Sequence, residues 1–327
     1  MRGSLFSKTF FNIFPPPAYI NLPHAGIDIS ESAIRCIELR KSAHRGGWVV
    51  AKYASLELPM GIIDAGFVKD EIALTAAIAE ISKKLSVYKV RASLPEEKTY
   101  LFRTPIPSHS PREVAQNIES KLEENVPLTP DKAIFNFQFI QQPTAPISAS
   151  VSVVPAKVVD VYLRAFKAAG VSVFGFDTKA RAIASAVVPQ NSDETVLVIY
   201  GTSVANVYSK IDVCIVYRGV VCFSSTISIQ SDLTEDLLKG IRNIISFWFE
   251  HGEALEGKST VDRFVVCGNV FLSNAVKAVS AQITIPFSMA NVWTNAFTVG
   301  KYAPPITAEE SYAYAVAAGL ALPSSNQ

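Results

Sequence analysis

The stretch Gly26-Ile27-Asp28-Ile29-Ser30-Glu31-Ser32, followed by the apolar run from Ala33 to Arg40, carries the decision about fold. Gly26 to Ser30 reads as a buried strand with one carboxylate, Asp28, inside it, and Ala33 to Arg40 as a second strand. The Arg45-Gly46-Gly47 turn leads into a third strand from Trp48 to Leu58. Connections this short favour antiparallel pairing. Asp70 then caps a helix running to about Leu85, with Ile72, Ala76, Ala79 and Ile81 among its apolar positions, and Lys89 to Leu94 is a strand.

The same order returns in the second half. Thr195 to Tyr200, Val204 to Ser209, Val213 to Arg218 and Val220 to Ile229 read as strands, with Arg218-Gly219 turning the last pair. A helix from Leu233 to about Glu250, a strand from Phe264 to Cys267, and a helix from about Leu272 to Val279 follow. The final apolar helix runs from Glu309 to Leu322 and stops at Pro323. Two successive units of antiparallel strands, helix, parallel strand and helix predict a pseudo-duplicated α/β fold. Between them lies a separable pattern: a strand from Tyr100 to Ile106, a helix opened by Ser110-Pro111 and ended before Pro127, strands from Ala133 to Ile140 and Ser148 to Val154, and a helix from Lys157 to Ala169 closed by Gly170. A unit of roughly 80 residues is large enough for a modest core of its own.

Composition removes several function classes. With 49% hydrophobic and 18% charged residues the chain is too apolar for intrinsic disorder, and 30 basic against 29 acidic residues exclude a nucleic-acid binder working through bulk charge. The longest apolar run, Tyr312 to Leu322, is shorter than the ~18 residues a membrane span needs. Cys36, Cys214, Cys222 and Cys267 sit in apolar segments without a C-x-x-C pair, and His24, His44, His109 and His251 are scattered, so neither a redox centre nor a catalytic zinc is expected. No G-x-S-x-G elbow, Walker loop or G-x-G-x-x-G is present. At the N-terminus Leu5-Phe6, Phe10-Phe11 and Ile13-Phe14 recur at helical intervals and end at Pro15-Pro16-Pro17. Two readings stand for this segment: a short interfacial helix making peripheral membrane or partner contact through residues 5–14, or a tail that folds back on the first domain or stays unstructured.

The Gly26 to Ser32 run before an apolar strand resembles the first phosphate loop of the actin-like ATPase superfamily. More narrowly the chain resembles the PilM family of type IV pilus assembly proteins, relatives of FtsA. Tyr53 to Asp64 with Val68-Lys69-Asp70, Ser110 to Gln138 with Glu123-Glu124-Asn125-Val126-Pro127-Leu128, Val261 to Gly268, and Ser311 to Leu322 carry this likeness over about residues 25–322. What it implies is an actin-like (ribonuclease H-like) two-lobed ATPase fold of the α/β class with an SHS2-type insertion. The implied division is a tail and proline-rich linker over 1–24, the first lobe over 25–94, the insertion over 95–175, a connecting helix over 176–193, the second lobe over 194–307, and a closing helix over 308–327.

The resemblance also implies ATP with Mg²⁺ between the lobes. Its residues transfer unevenly. Asp28 matches the aspartate that orients water around the metal, and Ser30 stands where the family usually has glycine, with its hydroxyl and that of Ser32 available to phosphate. The Asp-x-Gly of the second phosphate loop is replaced by Tyr200-Gly201-Thr202, with Asn206 the nearby polar side chain. In Asp177-Thr178-Lys179 a lysine takes the place of the connecting-helix glutamate. The adenosine loop keeps one glycine, in Gly268-Asn269. Few carboxylates remain where an ATPase cleft needs them, and missing carboxylates cost hydrolysis more than binding. The expectation is a pseudo-ATPase with weak or lost nucleotide binding. An active ATPase and an FtsA-like division or filament protein stand as alternatives, the latter disfavoured by an ending, Pro323 to Gln327, that is no amphipathic helix. By the same resemblance the protein is cytoplasmic, lies against the inner face of the membrane, and connects the pilus alignment complex to its motor. It does so by holding the N-terminal tail of a PilN-like inner-membrane protein between the insertion and the main lobe, near Tyr100 to Ile106 and Pro111.

Overall fold

The structure is a computed structural model that describes residues 24–42, 47–106, 111–140, 147–190, 192–201, 209–251, 260–298, 300 and 302–323. The apolar N-terminal segment, Thr202, Asn206 and nearly all of the strand expected over Val204–Ser209 lie outside the described residues.

Two five-stranded sheets form the body, and they share one plan. In the first lobe β1 (Ala25–Ile29), β2 (Ala33–Ser42) and β3 (Gly47–Glu57) run antiparallel. A small hairpin, β4 (Ile63–Asp64) and β5 (Phe67–Val68), precedes helix α1 (Glu71–Leu85). Strand β6 (Lys89–Leu94) then lies parallel to β1. Asp70 starts α1 as expected, its carboxylate accepting from Ala73 N at 2.9 Å. The insertion contributes β7 (Tyr100–Pro105), α2 (Pro111–Asn125), β8 (Ala133–Ile140) and β9 (Ser148–Pro155), followed by α3 (Ala156–Ala168). Strand β10 (Ser172–Thr178) closes the first sheet parallel to β6, and α4 (Lys179–Val187) leads to the second lobe.

That lobe repeats the design. Strands β11 (Thr195–Tyr200), β12 (Lys210–Tyr217) and β13 (Val220–Ser228) are antiparallel. After α5 (Leu233–His251), β14 (Arg263–Cys267) runs parallel to β11. After α6 (Val270–Ile283), β15 (Phe287–Met289) runs parallel to β14. The orders β3-β2-β1-β6-β10 and β13-β12-β11-β14-β15 are the same topology twice, which makes this the actin-like α/β fold.

The short strands β4, β5 and β15 were not expected from the sequence, and two longer elements also depart from that reading. Strand β10 escaped it because Gly175 interrupts the apolar alternation, and the register with β6 shifts at that point. The closing helix is two, α7 (Ala308–Ala313) and α8 (Ala315–Ala321), broken at Tyr314, which has φ −98° and ψ 3°. Thr307 and Glu310 form a reciprocal capping box at the start of α7.

In the insertion, β7, β9 and β8 make an antiparallel sheet. Phe102, Ile106, Val151 and Val153 face Val114, Ile118 and Leu122 of α2, a core of the unit's own. The sheet's other face meets the second lobe: Ser150 Oγ donates to Val221 O at 2.5 Å, and Arg103 lies over Trp248 and donates to His251 O at 2.7 Å. Helix α3, expected to complete the insertion, instead buries Val158, Val159, Tyr162 and Phe166 in the first lobe's core.

Between the lobes runs a further core built from α4 and α8, with Ile37 and Leu39 from one sheet and Val196 and Val198 from the other. Backbones touch there. A Cβ on Gly319 of α8 would lie 1.7 Å from Ala182 O, and one on Gly26 would lie 1.9 Å from Ala317 O. Gly26 therefore serves helix packing rather than an approach to phosphate.

Candidate functional site

Both lobes send strand ends and loops into one cleft. A cavity of about 130 Å³ is lined by Ser30, Glu31, Ser32, Glu97, Lys179, Gly201, Lys210 and Asp212. A second of about 40 Å³ shares Ser30, Lys179, Gly201 and Asp212 with it and reaches Asp28, Tyr200, Cys267 and Tyr312. Five of the anticipated site residues thus converge: Asp28, Ser30, Ser32, Lys179 and Gly201. Gly268 and Asn269 line neither cavity. Asn269 accepts from Leu272 N at 3.2 Å with its side-chain oxygen, which caps α6.

Asp28 sits near the end of β1 and is only 5% exposed. Its carboxylate accepts the Ser93 hydroxyl at 2.8 Å, while Ser93 Oγ accepts Ile29 N at 3.0 Å, so β6 holds it in place. Ser30 closes the β1–β2 turn: its hydroxyl donates to Ala33 O at 2.9 Å and accepts Ala33 N at 3.1 Å. Lys179 is the first residue of α4, behind the Thr178 cap that accepts Arg181 N at 3.2 Å. Burial alone would depress its ammonium, but Asp28, Asp212, Glu97 and Glu96 outweigh that and hold its pKa above the ordinary lysine value.

The expected scarcity of carboxylates is corrected by this geometry. Tyr200 does replace the family's aspartate, yet Asp212 stands directly across from it in the β11–β12 ladder. Asp212 thus brings a carboxylate into the cleft from the neighbouring strand. Burial pushes Asp212 up to about 6, against the pull of Lys179 and of the Thr226 hydroxyl that donates to it at 2.6 Å. Glu96, 5% exposed, is pushed up to about 7 by burial and by the charge of Asp212, while its Oε2 accepts Ala180 N at 3.2 Å. Burial also raises Glu97, but the ammonium groups of Lys179 and Lys210 prevail and leave it below the usual carboxylate range. The buried Tyr200 hydroxyl has no hydrogen-bond partner among the described residues.

Sequence reasoning missed Glu96, Glu97, Lys210 and Asp212. Strand alternation does place Asp212 as a polar residue between Ile211 and Val213, but only the register reveals what it faces. Lys210 bridges the lobes: its ammonium donates to Glu31 at 3.0 Å and to Glu97 at 3.2 Å.

This set of side chains does not fit a nucleotide with its metal. Four carboxylates (Asp28, Glu31, Glu97 and Asp212) line the two cavities with two ammonium groups, Lys179 and Lys210, so the chain's own acids outnumber the cations that a polyphosphate would need. Among the described residues no group of three or more His, Cys, Asp or Glu side chains has metal-holding geometry. The same residues contain no helix long and apolar enough to cross a membrane.

Comparison with known proteins bears on the whole assembly. No curated protein matches the chain in sequence. Among solved structures, a chain of a PilM-PilN type IV pilus biogenesis complex superposes with a TM-score of 0.71 at 16% identity, over 91% of this chain and 97% of that one. The cytoplasmic domain of EpsL, an inner-membrane component of the type II secretion system of Vibrio cholerae, gives 0.49 at 13% identity, over 90% of this chain and 94% of that one. ADP-bound MreB5 of Spiroplasma citri gives 0.44 at 11%, over 84% and 93%. The family model for type IV pilus assembly protein PilM matches residues 26–211, a span that holds the first lobe, the insertion and the entry into the second lobe. With more than half of its length matched, the chain belongs to the PilM family of type IV pilus assembly proteins.

Proposed function

We propose that the protein is a cytoplasmic scaffold of a type IV pilus inner-membrane assembly complex. It docks the N-terminal tail of a PilN-like membrane protein, and its cleft does not turn over ATP. Family membership is the observation that carries this reading. The charge balance of the cleft supports its second half, because phosphoryl transfer depends on placed cations and metal to absorb developing negative charge.

A groove suited to the tail lies between the β4–β5 hairpin and α3. It is about 270 Å³ in volume, with Val68, Val158, Val161 and Tyr162 along an apolar lining. At its rim the half-exposed Phe67 ring has the Lys98 ammonium 3.7 Å from its centroid, with those of Lys69 and Lys157 at 5.8 Å. An extended segment laid there would touch both the first lobe and the helix that follows the insertion's sheet, which makes it the proposed seat in place of the region near Tyr100 to Ile106 and Pro111 that the resemblance implied.

Deleting the insertion with α3 would strip Tyr162 and Phe166 from the first lobe's core, so a point change is the better test. Titration of the full chain with a synthetic PilN-like N-terminal peptide should show binding that Phe67→Ser weakens about tenfold or more. Equal affinity in the two proteins would remove the peptide from this groove. Steady Mg²⁺-ATP hydrolysis by the wild type, abolished by Asp28→Ala, would refute the non-hydrolysing cleft.

A further inference from the structure

Several cationic and N–H groups of the cleft are already met by carboxylates of the chain itself. At the N-terminus of α4, the positive end of a helix dipole, Glu96 accepts Ala180 N and the Thr178 hydroxyl accepts Arg181 N. Lys179 faces Asp28, Asp212, Glu97 and Glu96. Lys210 comes from the second lobe, and both of its partners, Glu31 in the β1–β2 turn and Glu97 after β6, come from the first. Lys179 and Lys210 both line the larger cavity, where a polyanion entering the cleft would meet them.

We propose that Glu31 and Glu97, through Lys210, bridge the two lobes across the cleft mouth in place of a bound polyanion, so that the closed arrangement needs no nucleotide. This deepens the reading of the cleft given above and rests on it. The three side chains are 25–40% exposed, so each pair is individually weak and open to salt. The interlobe core of α4 and α8 keeps the lobes attached in any case. The clasp therefore acts on the width of the mouth and not on whether the chain folds.

The mouth can be measured in the full-length protein with spin labels on Glu57→Cys and Ser228→Cys, exposed positions near the strand ends of opposite lobes. The native cysteines that are described are all buried. Lys210→Met should lengthen or broaden the label distance by a few ångström. Raising ionic strength about tenfold, which shortens the Debye length about threefold, should do the same to the labelled protein that keeps Lys210 and nothing more to the variant. A second arm uses inorganic pyrophosphate as the probe. The double variant Glu31→Gln, Glu97→Gln frees Lys210 and should bind pyrophosphate about tenfold or more tighter than wild type by titration calorimetry. An unchanged distance in Lys210→Met, or no gain in pyrophosphate affinity, overturns the clasp. ATP turnover by wild type would instead strike the function proposed above, so the two failures are told apart.

Discussion

Glu96 is a buried acid that the fold keeps protonated well above its ordinary range. Facing it are Asp212 on β12, the Ser224 hydroxyl on β13, and Ala180 N with the Lys179 ammonium on α4; the Tyr200 and Cys214 side chains lie beside the same carboxyl. Its pKa rises from the ordinary glutamate value of 4.5 to about 7 here. Between those values the folded chain holds a proton that the unfolded chain releases, so this group's contribution to stability falls as pH rises through that window. Glu96→Gln should accordingly raise stability at pH 8 by on the order of 1–3 kcal/mol, with the difference fading near pH 5. Thermal melts of both proteins across that range check this; matching curves at pH 8 would count against a strained carboxyl. At this scale the sequence is half legible. Asp28 and Lys179 can be read because each sits at a fixed place in a motif or at a helix start. Asp212 and Lys210 cannot, because their meaning comes from a neighbouring strand or an opposite lobe, and adjacency across a ladder is not written along the chain.

The elements were more readable than the residues. Alternation and capping located most strands and helices, since apolar periodicity survives wherever one face is buried. What failed was local. Gly175 hid β10, and the alanine-rich closing segment read as one helix because nothing in its composition marks the break at Tyr314. That residue leaves helical geometry where its ring meets Tyr53 edge-on, with centroids 5.7 Å apart. Within α8, Gly319 is the residue that lets two helices approach backbone to backbone. Gly319→Ala would drive its methyl into Ala182 O and should destabilise the chain by about 3 kcal/mol or more, despite alanine's better helix propensity. Urea unfolding measures this, and a neutral or stabilising change would mean that the helices part more easily than their packing implies.

For the whole molecule, the interlobe core is the decisive feature. Because α4 and α8 pack at once against residues of both sheets, neither lobe has a complete interior without the other. Calorimetry should therefore record one cooperative transition for the two lobes, and two well-separated transitions would contradict a shared core. The duplicated sheet order could be inferred from the repeated strand and helix pattern, but the docking of the insertion on β13 and α5 could not, since it runs through Ser150 and Arg103, which look like ordinary strand residues. The Lys210 bridge has one consequence of a different kind. A cleft closed by hydrolysable phosphate contains a timer, since its occupant is consumed and must be replaced. Glu31 and Glu97 are tethered, never leave, and stay at a constant effective concentration beside their lysine. A scaffold built this way would keep no time of its own: its shape would answer reversibly to partner concentration and ionic strength, and its release from a complex would follow mass action rather than a spent nucleotide.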